Sequence, residues 1–335
     1  MSLLSRLRRF AAKPWEDQRH AAVASLRALF RLNDSQKSMR AARRRAHRRG
    51  EEPWRREALH VLRPFGLGDV LLSTPALRAA KQANPNVQIF FYTDFPSLVN
   101  GLPYIDHVLP TSSAPQNAIF LGYEDRVPTS SHLAADIADV LGLAIAGADL
   151  VPDCIVRGDL VEGYRKEWGE GPNIVVSRRA SRWTPNKDWP MERWNDLIMR
   201  LSRRYRVIEV GGAADMPSPV PGGAYIDLRD KTDVEELVAV VSAADLFLGP
   251  VSGPVHIAAA ARVASVIIVG GYESTACTAY PGHAQLAETP RCSPCWLREP
   301  CPHDLLCLKS ISVDDVEAEV ERSLRSRHLA PAHGT

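Results

Sequence analysis

The chain has 335 residues, of which 45% are hydrophobic and 24% charged, and its formal net charge at pH 7 is +2. That length exceeds one ordinary domain, so we expect two. No run approaches the roughly 18 apolar residues of a membrane span, and charges interrupt the amino-terminal segment where a secretion signal has its apolar core, so we predict a cytoplasmic globular protein.

The positive charge is concentrated in the first fifty residues, where arginines recur as Arg6, Arg8, Arg9, Arg40, Arg43, Arg44, Arg45, Arg48 and Arg49. Residues 3–10 and 22–30 have the spacing of short amphipathic helices with basic faces. We therefore predict a basic helical extension over residues 1–57. It fits contact with an anionic membrane surface, and equally a solvated segment or a helix resting on a protein partner. No base-reading motif accompanies the charge, so we expect no nucleic-acid partner.

Short apolar runs then alternate with helical periodicity. The predicted strands cover residues 58–62, 87–91 and 107–109, and the predicted helices cover residues 69–83 and 132–143, with a loop over residues 111–130. Gly66 and Gly68 lie in the turn between the first strand and the first helix. Because strands that alternate with helices form parallel sheets, residues 58–165 are predicted to be one α/β domain.

The same alternation returns after a crossing segment over residues 144–170. The predicted strands cover residues 173–177, 206–210, 246–248 and 264–269, and the predicted helices cover residues 192–203, 234–242, 253–262 and 313–324. We predict a second α/β domain over residues 166–312. A carboxyl-terminal helix over residues 313–328 is expected to pack back across both domains, and a tail follows over residues 329–335. Ligands of open α/β folds bind at the carboxyl edges of the strands.

The stretch from Phe247 to Ala260 has the pattern of an anion site. An apolar strand runs through Ser252 and Gly253 into an alanine-rich helix with Pro254 in its first turn. Unpaired backbone N–H groups and the positive end of the helix dipole attract a phosphate there. An ordinary strand-to-helix turn has the same pattern, so this stretch alone leaves both interpretations open.

Three other elements occur with this stretch: residues 66–77 (Gly-Leu-Gly-Asp-Val-Leu-Leu-Ser-Thr-Pro-Ala-Leu), residues 187–190 (Lys-Asp-Trp-Pro), and a cluster of cysteines near the carboxyl end. Together, and in this order, they resemble glycosyltransferase family 9, the bacterial heptosyltransferase family, over about residues 58–325. The resemblance implies the GT-B architecture, in which two Rossmann-like domains with parallel sheets face a central cleft.

The resemblance also assigns roles to residues. It makes Asp69, beside the cleft-loop glycines Gly66 and Gly68, the base that takes the proton of the acceptor hydroxyl, whereas a carboxylate in a first helical turn also simply caps a helix. It makes Lys187 the charge that stabilises the departing diphosphate, whereas a solvated loop lysine is the plain alternative, with Arg178, Arg179 and Arg182 nearby.

The donor motif of the family is Asp-Ser/Thr-Gly-x-x-His, and the resemblance places the diphosphate on Ser252, Gly253, Pro254 and His256. A histidine that packs in the core is the alternative for His256. Val251 stands where the family has aspartate. Three explanations stay open: a different donor sugar, compensation by another residue, or loss of transferase activity. Glu209 and Asp215 are further candidates for contact with a nucleotide ribose.

The cysteine cluster is Cys292, Cys295, Cys301 and Cys307, with His303 inside it. Four thiolates suffice for a tetrahedral structural zinc or iron site, and reduced buried thiols are the alternative. With all four bound, no coordination position remains for catalysis.

The resemblance implies an inverting transferase that moves heptose from ADP-heptose to a lipopolysaccharide core, another cell-envelope glycan, a lipid-linked acceptor or a protein. No cofactor is required for this chemistry, because the lysine and the helix dipole supply the positive charge. The enzyme would work in the cytoplasm, with the basic extension resting on the inner face of the inner membrane. The alternative is a non-catalytic binding or assembly protein with a transferase fold, because Val251 replaces the aspartate.

Overall fold

The computed structural model of the protein describes residues 52–180, 184–212 and 223–329, with side chains as far as residue 326. The predicted basic extension, apart from its last residues, and the predicted tail after residue 329 lie outside this part of the chain. Among the described residues, no helix combines the length and the hydropathy needed to cross a bilayer.

The first sheet has four parallel strands in the order β3-β2-β1-β4. They are β1 (Ala58–Leu62), β2 (Gln88–Tyr92), β3 (His107–Leu109) and β4 (Ile119–Phe120). Helix α1 (Leu67–Ala83) connects β1 to β2, and α2 (Leu133–Ala138) packs against α1. Leu59 and Val61 of β1 are fully buried. Because the strands are parallel, their carboxyl ends share the edge at which α1 begins.

The second sheet has six parallel strands in the order β10-β9-β8-β5-β6-β7. They are β5 (Asn173–Ser177), β6 (Arg206–Val210), β7 (Tyr225–Asp227), β8 (Leu246–Pro250), β9 (Ser265–Val269) and β10 (His283–Ala287). The helices of this half are α3 (Gly158–Trp168), α4 (Met191–Ser202), α5 (Val234–Ala243), α6 (Gly253–Ala260), α7 (Leu306–Lys309) and α8 (Val313–Leu329). Every residue of the central strands β5, β8 and β9 is buried, as expected for a parallel sheet covered on both faces.

The structure adds five strands and α-helices that the sequence prediction does not contain, one of which is the four-residue helix α7. Strand β4 lies within the predicted loop 111–130, and its two residues are too few to show a period. Strands β7 and β10 are the edges of the second sheet, and their residues are only half-buried, so they lack a long apolar run. Helix α3 lies in the predicted crossing segment, although its buried residues Val161, Tyr164 and Trp168 have helical spacing.

The carboxyl-terminal helix α8 packs against α4 and against strands β8, β9 and β10. Its acidic residues pair with arginines of the α4 region, with Arg200 on Asp314 and Glu317 and with Arg204 on Glu321. These contacts all belong to the second sheet, whereas the sequence predicts a helix that packs across both domains. Its apolar face, which includes Val316 and Val320, is buried on that one sheet and explains the difference.

Candidate functional site

The amino-terminal ends of α1 and α6 meet at the carboxyl edges of the two sheets. A Cβ atom on Gly68 would lie 2.7 Å from Cδ2 of His256 and 3.2 Å from Cα of Gly253, and a Cβ atom on Gly253 would lie 2.9 Å from Cδ2 of Leu67. The absence of a side chain at both positions permits this close approach. Two positive helix ends point at one place, which favours an anion there.

Asp69 lies in the first turn of α1 and is held by two donors. Its Oδ2 atom is 2.9 Å from Nη2 of Arg63, and the Tyr123 hydroxyl donates a hydrogen bond of 3.0 Å to Oδ1. A quarter of the Asp69 side chain is exposed. Gly66 has φ of +81°, and a Cβ atom there would fall on the Asp69 carboxylate. The carboxylate is thus fixed in orientation and still reachable from the cleft.

Arg63 is a buried arginine with two carboxylates as partners. Besides Asp69, its guanidinium contacts Oε1 of Glu124 at 2.7 Å and donates to the carbonyl of Leu121. Burial by itself lowers the pKa of Arg63, but the charges of Asp69 and Glu124 outweigh this and raise its pKa above the ordinary value. A permanently charged, immobile arginine therefore stands behind Asp69.

Tyr123 is the second partner of Asp69. Burial of its hydroxyl, together with the charges of Asp69 and Glu124, holds the pKa of Tyr123 well above its ordinary value. The phenol therefore keeps its proton and acts as a donor to Asp69. Sequence reasoning missed Tyr123 and Arg63 because neither lies in a motif with Asp69.

Lys187 lies opposite, on the second half, in a 3₁₀ turn that Thr184 caps. Its Nζ atom is 2.6 Å from Oε1 of Glu273 and 4.8 Å from the centre of the Tyr272 ring. Trp189, two residues further on, is buried and donates from Nε1 to the carbonyl of Ile311. The tryptophan of the Lys-Asp-Trp-Pro element therefore anchors the turn that carries the lysine.

The turn between β8 and α6 leaves the helix start open. The Ser252 hydroxyl donates to the carbonyl of Pro250 at 3.1 Å, and no side chain caps the helix. Pro254 occupies the first turn, where its missing N–H costs nothing. Val251 is nearly buried and packs in the apolar core. The turn therefore presents backbone and one hydroxyl to the cleft, and no carboxylate.

His256 lies one turn into α6 and is 4% exposed. Its Nδ1 atom is 2.8 Å from the Tyr280 hydroxyl. Burial first, and then the charges of His132, Lys187 and His283, lower the pKa of His256 to about 3. The imidazole is neutral at pH 7, so it contributes no positive charge to an anion site. Its ring packs against Gly68 at the junction of α1 and α6.

The neighbouring arginines and Glu209 are engaged elsewhere. Arg178 is fully buried and donates from Nε to Glu209 at 2.7 Å. Glu209 also accepts from the Tyr225 hydroxyl and contacts Arg229 at 3.3 Å, and it has no exposed surface. The structure thus places Glu209 in a closed ionic network and not at a nucleotide ribose. Arg182 and Asp215 lie outside the described residues.

The cysteines of the predicted cluster line one cavity of about 280 Å³ together with His303. Cys292 is exposed, Cys307 is buried, and the other two are intermediate. Burial, with smaller effects of the other three thiols, raises the pKa of Cys295. Thiols suit zinc or iron, but as placed no three His, Cys, Asp or Glu side chains of the described part form a group that would hold a metal ion. The donor chemistry fits a metal and the geometry does not.

The cysteine loop is tied to the turn that carries Lys187. The Asn186 amide donates to the carbonyls of Leu297 and Glu299, and its oxygen accepts from the backbone N–H of Cys301. The N–H of Cys295 donates to the carbonyl of Gly271. The loop therefore braces the two segments from which Lys187 and Glu273 project.

The structure brings most of the predicted site together. Asp69, the two glycines of its turn, and the Ser252 to His256 turn meet at the junction of α1 and α6, and the charge of Lys187 reaches His256. The predicted cysteines lie apart, behind the Lys187 turn. Glu273 is the residue of this site that sequence reasoning missed on the second half, because it lies outside any motif.

Comparison with known proteins agrees with this architecture. The model of the family described as glycosyltransferase family 9 (heptosyltransferase) matches residues 152–295. No curated protein matches the sequence.

Solved structures match over most of the chain. The glycosyltransferase family 9 protein of Veillonella parvula is 16% identical with a TM-score of 0.63, and covers 81% of this chain and 97% of its own. The Escherichia coli ADP-heptose heptosyltransferase II is 15% identical with a TM-score of 0.60, covering 82% and 100%. The iron-containing dodecameric glycosyltransferase TibC of enterotoxigenic E. coli is 19% identical with a TM-score of 0.64, covering 81% and 77%.

Two parallel sheets whose carboxyl edges face one cleft have the fold of these solved structures, the GT-B architecture. Over residues 152–295 the chain is similar to glycosyltransferase family 9, the heptosyltransferase family.

Proposed function

We propose that the protein transfers a sugar, heptose by likeness to its relatives, from a nucleoside-diphosphate donor such as ADP-heptose to an acceptor hydroxyl, with inversion. The observation that carries this proposal is the junction of α1 and α6, where Gly68 and Gly253 let a carboxylate on one half face an open helix start on the other. The proposed base and the proposed diphosphate site then lie at the same junction.

The donor is proposed to bind with its diphosphate on the amides at the start of α6 and on Lys187. The helix start carries partial positive charge and lacks a side-chain cap. Lys187 adds a full charge. Together they stabilise the negative charge that develops on the leaving nucleoside diphosphate, so this step needs no further cation.

The acceptor hydroxyl is proposed to lie at Asp69. Asp69 takes its proton as the hydroxyl oxygen bonds to the anomeric carbon, and the bond from that carbon to the diphosphate breaks, with the electron pair leaving on the phosphate oxygen. Arg63 and Tyr123 hold the carboxylate for this transfer. Attack opposite the leaving group inverts the configuration.

The test uses purified full-length protein, ADP-heptose as donor, and slow donor hydrolysis as the assay. Asp69→Ala is expected to lower turnover about 10²- to 10⁴-fold and to leave donor affinity by calorimetry unchanged. The matched control is Asp149→Ala, an exposed carboxylate away from the junction. Turnover that survives Asp69→Ala would overturn the assignment of the base. A wild-type protein that binds no donor would favour the non-catalytic alternative, to which Val251 points.

The finer assignments are proposals of the same kind. We propose an acceptor-side domain over residues 58–165 and a donor-side domain over residues 166–312. The acceptor is a cell-envelope glycan, a lipid-linked glycan or a protein. The basic residues 1–50 are proposed to contact either the anionic inner face of the membrane or a protein partner. Sedimentation with phosphatidylglycerol vesicles, compared with neutral vesicles, separates these two partners.

A structural metal on the cysteine cluster is proposed by likeness to TibC, whose solved structure is of an iron-containing protein. Binding would require the four thiols to draw together around the cavity that they line. Elemental analysis of the purified protein is expected to find about one zinc or iron per chain, which Cys295→Ser removes and Cys154→Ser does not. Absence of both metals would leave the cluster as reduced thiols.

A further inference from the structure

Glu273 and Val251 leave the second sheet at the same edge. Strands β8 and β9 are parallel neighbours, with Pro250 opposite Ile268. The turn after β8 therefore lies beside the segment after β9, and that segment carries Glu273. The turn after β8 carries no carboxylate, and its Val251 is apolar and nearly buried. The carboxylate at this edge comes from the neighbouring segment.

Glu273 is a buried carboxylate that pairs with Lys187. The residue is 4% exposed, and its Oε1 atom is 2.6 Å from Nζ of Lys187. A carboxylate withdrawn from water is stable only while it is paired or hydrogen-bonded. When a diphosphate takes up the charge of Lys187, the Glu273 carboxylate needs donors from the ligand in compensation.

Glu273 also lies within electrostatic reach of the opposite half. After burial and the charges of Asp69 and Glu124, its carboxylate adds to the raised pKa of Tyr123. Tyr123 in turn donates to Asp69. Glu273 thus contacts the lysine proposed to hold the diphosphate and acts electrostatically on the tyrosine that holds the proposed base. The anomeric carbon of the transferred sugar links diphosphate and acceptor, so the sugar has to lie near both of these groups.

We propose that Glu273 binds the hydroxyl groups of the donor's sugar and thereby sets the preference of the site for a sugar nucleotide over a bare nucleotide. This inference rests on the proposed function. The carboxylate accepts hydrogen bonds from the sugar hydroxyls, and it gives the site a sugar-binding charge that the turn with Val251 lacks. Hydrogen bonds from neutral hydroxyls to a carboxylate are stronger than those to a neutral amide.

The test measures the affinities of ADP and ADP-heptose by calorimetry and follows their ratio. Glu273→Gln keeps the shape and removes the charge. It is expected to lower the preference for ADP-heptose over ADP by about tenfold or more, because the sugar hydroxyls then meet a neutral amide in place of a charged acceptor while the nucleotide contacts stay the same. The control Glu288→Gln removes an exposed carboxylate and is expected to leave the ratio unchanged. An equal change in both affinities would mean that Glu273 acts only through its ion pair with Lys187, and would overturn the inference.

A second variant, Glu273→Asp, tests the same inference if Glu273→Gln does not fold. Glu273→Asp keeps the charge next to Lys187 and withdraws the carboxylate by one methylene, so ADP affinity is retained and the preference for ADP-heptose falls severalfold. An unchanged ratio in this variant overturns the inference as well. If the wild type binds ADP but shows no preference for ADP-heptose, the proposed donor is wrong, whereas a wild-type preference that both variants retain refutes only the role of Glu273.

Discussion

Asp69 shows how one carboxylate is prepared by residues distant in sequence. Arg63 and Tyr123 each bind one of its oxygens, and Gly66 leaves room for it. Arg63 is itself locked between Asp69 and Glu124. Such a carboxylate loses no orientation freedom when an acceptor arrives, which is the advantage of a preorganised base. Substitution of Tyr123 therefore tests whether the orientation of Asp69 matters for activity.

Replacing Tyr123 with phenylalanine removes one hydrogen bond to Asp69 and nothing else of similar size. A hydrogen bond to a charged group contributes about 1.5–3 kcal/mol, so we expect kcat to fall at least about tenfold while the KM for the donor stays within twofold. Steady-state kinetics with ADP-heptose measures both. Tyr92→Phe serves as the control, because its hydroxyl bonds to His60 in the first sheet. A loss of donor binding without a loss of kcat would place Tyr123 on the donor and not on the base.

The sequence indicated functional residues only where the residues that support them lie nearby in the sequence. Asp69 follows its turn glycines directly, and Lys187 precedes its anchoring Trp189 by two positions. Tyr123 is 54 residues from Asp69 and lies in what the sequence predicts as a loop. Glu273 is far in sequence from Lys187 as well. No periodicity or spacing rule pairs such residues, because only the folding of the sheets brings them together.

At the scale of elements, the site depends on how closely α1 approaches α6. Gly68 lies inside α1, where glycine ordinarily costs up to about 1 kcal/mol relative to alanine. The contact with His256 and Gly253 explains why alanine does not fit there. The long buried strands and most amphipathic helices were predicted correctly, with α3 as the exception. Strands β4, β7 and β10 were missed because short edge strands carry too little pattern.

Gly68→Ala is therefore expected to destabilise the protein, although alanine has a higher helix propensity than glycine. The added methyl group would lie 2.7 Å from Cδ2 of His256, so α1 and α6 must separate. We expect a loss of about 1–3 kcal/mol in the free energy of unfolding together with a loss of activity. Gly163→Ala in α3 is the matched control, because a Cβ atom there meets nothing within 4 Å. That control is expected to gain stability by a few tenths to about 1 kcal/mol, and urea unfolding measures both. A stabilised Gly68→Ala would show that the junction is not tight.

At the scale of the whole molecule, the two halves share a cluster of histidines around the buried Tyr280. His132 from the first half lies 5.0 Å from the Tyr280 ring, and His256 and His283 from the second half lie 5.8 and 5.4 Å from it, measured between ring centres. Burial lowers the pKa of His132 to about 4 and that of His283 to about 4, and burial with nearby positive charge lowers that of His256 to about 3. All three are neutral in the folded protein at pH 7.

This cluster predicts a loss of stability in mild acid. The histidines of the unfolded chain take up protons near pH 6.5, whereas the folded ones stay neutral until pH falls to about 3–4. Stability is therefore fully present above pH 6.5 and falls as pH drops below it, by about 1.4 kcal/mol per pH unit for each such histidine. Urea unfolding between pH 7 and pH 5 gives this slope, which we expect to decrease by about one proton in His256→Asn. Gly163→Ala provides the control, because it removes no titratable group and should leave the slope as it is. An unaltered slope in His256→Asn would mean that this imidazole takes up its proton in the folded protein as it does in the unfolded chain, so that burial does not keep it neutral.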